Sequence, residues 1–382
     1  MSIVHYLPIL AALVALGYQV FALVGTITYL AQSAFQLSKP AGSYTPPVSI
    51  LKPVHGLDEA LHDALLSHMI QDYPDYEILI GVRDLEDPAV PVIRQLIETH
   101  PGRPVRLVHC PTDAPNAKVG ILIDLAREAR HAVLLVNDSD ITVPPKYLRR
   151  VVAPLADPLN SVVTCLYHAT ADSVAGNWEA LGIATDFIPS TLVAPMVGIN
   201  EFGLGSTLCF RKTDLDGIGG FDAIKEFIAD DYQLAKRITQ LAGQTVLSEV
   251  IVQTTLSAST WRDVWRHQIR WARTIRVSRG DVYPGLPVTH AGLWAIVCIL
   301  TGNWPLGLTL WLARATMGAT AGFAVLRHWP ALIAAPLIPL WDLWAFVIWL
   351  TSFAGRTVYW RNRRMTLQRD GRISPTSPSP EA

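Results

Sequence analysis

The sequence is poor in charged residues and has no patterned cysteines. Only 16% of its 382 residues are Asp, Glu, Lys or Arg, against about 25% in soluble domains. Its four cysteines, Cys110, Cys165, Cys209 and Cys298, form no CxxC pair, which argues against a zinc site and a disulfide framework. The formal net charge of −1 indicates no nucleic-acid partner. This composition favours a membrane protein with a reduced, cytoplasm-facing domain.

Two common signals are also missing from the chain. No Lys or Arg precedes the first apolar run, residues 3–30, whereas a cleaved signal peptide usually has a basic start and a shorter apolar core. The run is long enough to span a bilayer core of about 30 Å, so we predict a retained transmembrane anchor over residues 1–32. The G-x-x-x-x-G-K-[ST] loop of an ATPase is absent, which argues against an ATP-driven transporter.

Residues 43–257 alternate between strand-like and helix-like segments. The strand-like runs are VSILKPV, YEILIGV, VRLVHC, AVLLVND and SVVTCLYH. The helix-like runs are EALHDALLSHMIQ, AVPVIRQLIETH and KVGILIDLAREAR. This alternation predicts an α/β domain with a mostly parallel sheet, which binds its ligands at the carboxyl ends of the strands.

Apolar character returns in residues 288–353, where we predict C-terminal transmembrane segments. Residues 305–326 and 331–352 are each long enough to span a bilayer, whereas residues 293–302 are shorter. The region 354–382 is predicted to be a basic cytoplasmic tail with a disordered end. The positive-inside rule then places the α/β domain in the cytoplasm as well.

The strongest local motif is AVLLVNDSDITVP, in which a buried strand runs into Asp138 and Asp140. Two hard carboxylates at a strand end suit Mg²⁺ or Mn²⁺, which complete their shells with water and substrate phosphates. A strand-to-loop turn capped by Asp is the alternative interpretation.

A second motif, EFIADDYQLAKRI, opens a predicted helix with Asp230 and Asp231. An acid at a helix N-terminus is stabilised by the helix dipole, so capping is one interpretation. The other is a general base that accepts the proton of an attacking hydroxyl.

Residues 258–286 contain a basic, Trp-rich stretch, STWRDVWRHQIRWARTIRVSRG, predicted to be a helix at the membrane surface. Arg270 and Trp271 could do more, because a guanidinium near a diphosphate offsets its charge. Asp84, Lys118 and Lys52 follow strand-like runs or open a helix, and each is either a ligand-binding residue or an ordinary surface charge.

Together these motifs resemble the ceramide glucosyltransferase family of inverting glycosyltransferases with the GT-A fold. The resemblance rests on seven segments in order: VSILKPVHGLDE, DYPDYEILIGVRDLEDPAV, NAKVGILIDL, NDSDITVP, GSTLCFRKTDLDGIGGF, IADDYQLAKRI and RHQIRW. It implies a UDP-sugar donor and a lipid acceptor in the bilayer.

The resemblance also implies roles for single residues. Asp84 is expected at the nucleotide base and Lys118 at the nucleotide, with Lys52 beside them. Asp138 is expected near the metal and diphosphate, and Asp231 is expected to be the catalytic base. Arg270 and Trp271 match the end of the Q/R-x-x-R-W motif, whose first position is His267, counted among the donor-binding residues.

Three departures make the chain more similar to a bacterial branch associated with hopanoid biosynthesis. They are His267 in place of Gln or Arg, the second acid Asp140, and a stretch ATDFIPSTLV that lacks a His of the sphingolipid branch. This likeness implies transfer of N-acetylglucosamine, or glucose, to a hopanoid such as bacteriohopanetetrol, by an integral protein of the bacterial inner membrane.

Several alternatives remain open at this point. Ceramide glucosyltransferases, processive polysaccharide synthases and polyprenyl-phosphate sugar transferases are the enzyme alternatives. A non-enzymatic receptor or scaffold is another, although four acids in motif positions argue against it. Asp342, inside the last predicted span, indicates helix pairing or an acceptor site, and an ordinary interfacial position is the alternative.

Overall fold

The computed structural model describes residues 3–39, 43–257, 260–360 and 363–374. The chain forms two compact units. The first, here called the helical unit, comprises Met1–Gln32, His168–Gly198 and Ala258–Ala382. The second, here called the sheet unit, comprises Ser33–Tyr167 and Ile199–Ser257.

The strands are short and run from the end of the first helix to the C-terminal region. In chain order they are β1 (Val48–Val54), β2 (Tyr76–Val82), β3 (Val105–His109), β4 (Val133–Val136), β5 (Asn160–Thr164), β6 (Tyr167–Thr170), β7 (Leu208–Arg211), β8 (Gln244–Leu247), β9 (Val252–Thr255), β10 (Thr357–Trp360), β11 (Arg363–Leu367) and β12 (Ile373–Ser374).

The α-helices vary widely in length. In chain order they are α1 (Ile3–Ser38), α2 (Leu61–Met69), α3 (Ala89–Thr99), α4 (Ala117–Glu128), α5 (Tyr147–Val152), α6 (Val174–Gly182), α7 (Ile188–Val193), α8 (Lys212–Gly217), α9 (Asp230–Ala242), α10 (Trp261–Ser278), α11 (Ala291–Leu300), α12 (Trp304–Ala319), α13 (Trp329–Ile333) and α14 (Ile338–Phe353). Two π-helical segments, Ile183–Phe187 and Thr320–Val325, continue α6 and α12.

A seven-stranded sheet in the order β3-β2-β1-β4-β7-β5-β8 forms the centre of the sheet unit. β1 pairs in parallel with both β2 and β4, while β7 is antiparallel to β4 and β5. The predicted α/β fold with a mostly parallel sheet is therefore confirmed. Strand order reverses at β1 and β4, and ligands of open α/β sheets bind at the carboxyl ends of strands at such a point.

Apolar strands and one helix face make the core of this unit. Every residue of β1, β2 and β4 is buried, as expected for parallel strands covered on both faces. α4 presses so closely on β2 that a Cβ at Gly81 would lie 2.5 Å from Ile121 Cγ2. The glycine thus allows α4 to approach the sheet closely.

Three helical segments are long and apolar enough to cross a membrane: Leu7–Ser38, Val174–Val197 and Ala335–Phe353. A bent pair, Tyr283–Thr289 with Ala291–Leu300 at 59°, could form a fourth. The first and the last agree with the predicted N-terminal and C-terminal spans.

The structure differs from the predicted membrane spans in two places. Val174–Val197 lies inside the region predicted as one catalytic domain, yet residues 168–198 cluster with the helical unit. The predicted span 305–326 is not among the qualifying helices of the described chain, since its apolar run contains a charged residue, Arg314. Residues distant in sequence thus join one helical unit.

Arg314 and Asp342 form a buried ion pair in the helical unit. Their side chains are 2% and 0% exposed, and Arg314 Nη2 lies 2.8 Å from Asp342 Oδ1. Arg314 Nη1 also donates to the Thr185 carbonyl at 2.7 Å, and the backbone N–H of Gly292 donates to Asp342 Oδ2 at 2.7 Å. Of the two predicted roles for Asp342, helix pairing accounts for these contacts.

The C-terminal region 354–382, predicted as a basic tail with a disordered end, contains three short strands. β10, β11 and β12 form a three-stranded antiparallel sheet, while residues 375–382 lie outside the described residues. α10 holds this sheet through its arginines: Arg273 donates to the carbonyls of Thr357 and Ala354, and Arg276 to that of Gly355. These two arginines of the predicted interfacial helix are therefore engaged within the protein.

We expect Arg314→Met and Asp342→Leu each to lower the free energy of unfolding by about 3–5 kcal/mol, because each leaves an uncompensated buried charge. The double variant should lose less than the sum of the two. Melting in detergent checks this, with the exposed Asp63→Asn as the control. Additive losses would contradict a direct pair.

Candidate active site

Lys118 lies at the centre of an acidic cluster in the sheet unit. Its ammonium Nζ is 2.7 Å from Asp138 Oδ1 and 2.9 Å from Asp230 Oδ2. Burial opposes the charged form, but the carboxylates of Asp138, Asp230 and Asp231 outweigh it and raise the pKa of Lys118. One cation therefore holds together two acidic motifs that are far apart in the sequence.

Asn116 places Lys118 in this position. Its side-chain Oδ1 caps α4 by accepting the backbone N–H groups of Lys118 and Val119 at 3.1 and 3.3 Å. Its Nδ2 donates to the Phe227 carbonyl at 2.9 Å, just before α9. One wholly buried side chain thus joins the N-termini of α4 and α9, which are suited to binding anions.

The Asp138–Asp140 loop follows the carboxyl end of β4, and a buried lysine contacts its backbone. Lys52 is wholly buried, and its Nζ donates to the Asp138 carbonyl at 2.8 Å. Burial lowers the pKa of Lys52 to about 7, although Asp140 and Asp138 act to raise it. The sequence predicts Lys52 as a nucleotide-binding residue; the structure instead directs its amine to the backbone of the loop, beneath the surface.

Asp140 is tied to a neighbouring strand, because Thr254 Oγ1 of β9 donates to Asp140 Oδ2. Burial and then the charge of Asp138 raise the pKa of Asp140. A divalent cation between the two carboxylates would remove this repulsion. The described residues form no cluster of three or more His, Cys, Asp or Glu for a metal. Asp138 and Asp140 supply hard carboxylate oxygens, which suit an ion such as Mg²⁺ that also keeps water and phosphate ligands.

Gly205 lies beside both Asp138 and Asp231. A Cβ at this position would lie 2.8 Å from Asp138 Oδ2 and 3.6 Å from Asp231 Oδ2. The Gly205 backbone N–H donates to Asp231 Oδ2 at 3.1 Å, and its carbonyl accepts from the Asp138 N–H at 3.2 Å. Only a residue without a side chain leaves this space next to the two carboxylates.

Asp231 opens α9 together with Asp230. Burial and the charge of Asp230 raise the pKa of Asp231 to about 6, although Lys118 lowers it. Its Oδ1 accepts the Tyr232 N–H at 2.7 Å. A carboxylate with a pKa near neutrality is suited to act as a general base, beyond the capping role that remained open from the sequence.

Asp84 is exposed just after β2, and its Oδ1 accepts the Glu86 N–H at 2.9 Å. The contacts described for Asp84 include no member of the Lys118 cluster. Asp87, three residues on, is buried and accepts the Gly56 N–H at 2.9 Å and faces His55 Nδ1 at 3.2 Å. Asp87 thus joins the segment after β2 to the loop after β1.

The remaining three predicted residues lie on α10 in the helical unit. The His267 and Trp271 rings are 4.8 Å apart, and the Phe187 ring is 5.6 Å from Trp271. The Arg270 guanidinium lies over the Trp360 ring at 6.0 Å. His267 Nδ1 is 2.6 Å from Oε1 of Glu179, which is wholly buried.

Sequence reasoning missed several residues that shape these sites, although three of them lie in segments quoted for the resemblance. Asn116 could have been found as the polar residue that precedes a helical run. Gly205 opens one of those segments, but its role and that of Thr254 had no local signal, since both depend on contacts with distant acids. The residues missed are Asn116, Asp87, Glu179, Gly205 and Thr254.

The fold is similar to that of a solved glycosyltransferase. The mannosyltransferase PcManGT from Pyrobaculum calidifontis, in complex with GDP-Man and Mn²⁺, matches with a TM-score of 0.50 and 20% identity, over 90% of this chain and 97% of that chain. This likeness defines the class by fold: a GT-A-type α/β domain accompanied by apolar helices.

The chain belongs to glycosyl transferase family 21, whose family model matches residues 7–373. Among curated proteins, Ceramide glucosyltransferase 1 of Caenorhabditis elegans is 27% identical over 53% of this chain and 44% of its own length. The ceramide glucosyltransferase of Pyricularia oryzae is 24% identical over 80% of this chain and 70% of its own length. The match to the nematode protein thus spans less than half of that protein.

We expect Asn116→Ala to lower the free energy of unfolding by about 1–2 kcal/mol, because α4 loses its N-cap. Thermal unfolding in detergent measures the loss. Ser173→Ala is the matched control, since Ser173 caps α6 through the Gly176 N–H. Only Asn116→Ala should also lower sugar transfer in the assay described below, because Asn116 positions Lys118. Equal activity of the two variants would contradict the link from Asn116 to Lys118.

Proposed function

We propose that this protein is a membrane-bound inverting glycosyltransferase that transfers a sugar from a UDP-sugar to the hydroxyl of a lipid. The observation that supports it most is the Lys118 cluster, in which one ammonium joins Asp138 to Asp230, next to Asp231. Such a site combines a cation for phosphates, two acids for a metal, and a base for a hydroxyl.

Lys118 and the N-terminus of α4 bind the donor diphosphate in this proposal. Asp138 and Asp140 hold Mg²⁺ or Mn²⁺, which supplies positive charge to the phosphates. The mannosyltransferase with a similar fold was solved with GDP-Man and Mn²⁺, which supports a nucleotide-sugar and metal requirement here. Asp84 contacts the nucleotide base, and its exposure after β2 leaves it free to do so.

Asp231 acts as the general base. The acceptor oxygen forms a bond to the sugar C1 while the bond from C1 to the diphosphate oxygen breaks, and the hydroxyl proton passes to the Asp231 carboxylate. A single displacement of this kind inverts the anomeric centre, so an α-linked donor gives a β-linked product. Arg270 offsets the negative charge on the leaving diphosphate. Trp271, its neighbour on α10, is assigned to the same catalytic group of residues.

For the substrates, we propose N-acetylglucosamine as the sugar and a polyhydroxylated hopanoid such as bacteriohopanetetrol as the acceptor, with the domain facing the cytoplasm of a bacterial inner membrane. A second candidate is glucose transfer to ceramide, which the names of the curated relatives favour.

A transfer assay separates these candidates. Purified protein in detergent receives Mg²⁺ or Mn²⁺, UDP-GlcNAc or UDP-glucose, and bacteriohopanetetrol, ceramide or polyprenyl phosphate. Mass spectrometry of the lipids should show one N-acetylhexosamine on the hopanoid. A hexose on ceramide would replace the proposed substrates, a polymer would indicate a processive synthase, and no product with any acceptor would contradict the proposed activity.

The pH dependence of transfer tests the base. Because only deprotonated Asp231 accepts a proton, kcat/KM should rise with pH through about 6. Asp230→Asn should move this limb to lower pH, since the charge of Asp230 raises the pKa of Asp231. Asp231→Asn should lower kcat by at least about 10²-fold and preserve UDP binding by calorimetry. Near-normal turnover of Asp231→Asn would exclude it as the base.

Gly205→Ala should raise the concentration of Mn²⁺ needed for half-maximal activity by about tenfold or more, because its Cβ displaces the Asp138 carboxylate. The control is Gly17→Ala, whose Cβ meets no atom within 4 Å. An unchanged metal requirement in Gly205→Ala would argue against Asp138 as a metal ligand.

A further inference from the structure

A buried carboxylate in the helical unit has no role in the chemistry described above. Glu179, on α6, is wholly buried. Its Oε1 accepts from His267 Nδ1 and from Gln268 Nε2, both at 2.6 Å. Within the described part of the chain, its second oxygen, Oε2, has no hydrogen-bond partner. A carboxylate buried in this way is costly to stability, so its retention points to a function.

The position of Glu179 fixes the chemistry of His267. Because Nδ1 faces a carboxylate, the proton of the neutral imidazole lies on Nδ1, and Nε2 keeps its lone pair. The His267 side chain is 25% exposed, and no hydrogen bond joins its Nε2 to another described residue. His267 therefore offers one oriented hydrogen-bond acceptor at the surface of the unit.

An aromatic row lies next to this acceptor. His267 contacts Trp271, and Trp271 contacts Phe187, with ring centroids 4.8 and 5.6 Å apart. Aromatic faces bind the apolar body of a ligand, while a single fixed polar group sets its orientation. A hydrogen-bond acceptor beside such rings selects a ligand that is largely apolar and bears a hydroxyl group.

We propose that Glu179 and His267 form a hydroxyl-recognition dyad for the lipid acceptor. A hydroxyl of the acceptor other than the one that attacks the sugar donates to His267 Nε2, and Glu179 is a positioning residue that holds the imidazole in the required tautomer. This inference rests on the proposed function and adds to it a residue pair that determines acceptor specificity.

Steady-state kinetics with the acceptor identified in the transfer assay test the dyad. His267→Phe keeps an aromatic ring against Trp271 but removes both nitrogens, so the acceptor KM should rise about tenfold. Glu179→Gln still accepts from His267 but no longer carries charge, and should raise the acceptor KM by a smaller factor, about threefold. Both variants should keep the donor KM of the wild type, because this proposal assigns His267 to the acceptor in place of the donor-binding role that the resemblance implies.

Arg262→Gln, at an exposed position in the first turn of α10, is the matched control and should leave both KM values unchanged. Melting temperatures confirm that the variants are folded. Where His267→Phe is unstable, His267→Gln, which can still accept a hydrogen bond, should preserve more acceptor affinity than His267→Arg, which cannot. An unchanged acceptor KM in His267→Phe, or equal acceptor KM values in His267→Gln and His267→Arg, would overturn the dyad.

Failure of the proposed function gives a different result from failure of the dyad. If the wild type transfers no sugar to any lipid, the proposed function is wrong and the dyad loses its ligand with it. If the wild type transfers sugar and the His267 and Glu179 variants lower only kcat or the melting temperature, Glu179 has a structural role and the recognition proposal alone is wrong.

Discussion

The attraction between the Lys118 ammonium and the carboxylates around it is the constraint on which the candidate active site depends. Asp138 follows β4, and Asp230 opens α9; without a cation between them these acids would repel each other in a partly buried setting. A surface ion pair contributes little to stability, but the side chains of Lys118 and Asp230 are only 14% and 12% exposed. Removal of Lys118 would leave the Asp230 carboxylate largely buried without this counter-ion.

The same arrangement explains how one site can contain groups with opposite tasks. Lys118 keeps its proton because carboxylates surround it, whereas Asp231 has a pKa near 6 because burial and Asp230 disfavour its charge. One network of charges therefore determines both the protonation of Lys118 and the pKa of Asp231. A diphosphate entering this network would meet the ammonium and the α4 N-terminus, and a divalent ion would reduce the repulsion between Asp138 and Asp140.

The helical unit also contains buried charged side chains, and these differ in how completely they are paired. Arg314 and Asp342 satisfy each other and nearby backbone groups, so their burial is compensated. Glu179 is not compensated to the same degree, since one of its oxygens lacks a partner in the described chain. This contrast between two buried acids of one unit separates a structural pair from a group that we assign to ligand recognition.

Local sequence determined much of the fold and most of the acids in the candidate site. The strands VSILKPV and YEILIGV were predictable because fully buried parallel strands have continuous apolar sequences. Asp138 follows a strand of this kind, and Lys118 and Asp231 lie in the first turns of predicted helices. Tertiary structure alone decided that residues 168–198 join the helical unit, that Lys52 points into the protein, and that Gly205 and Glu179 matter. The reason is physical: periodicity records which face of an element is apolar, but close approach and charge compensation arise between residues far apart in the chain, and no local pattern encodes those distances.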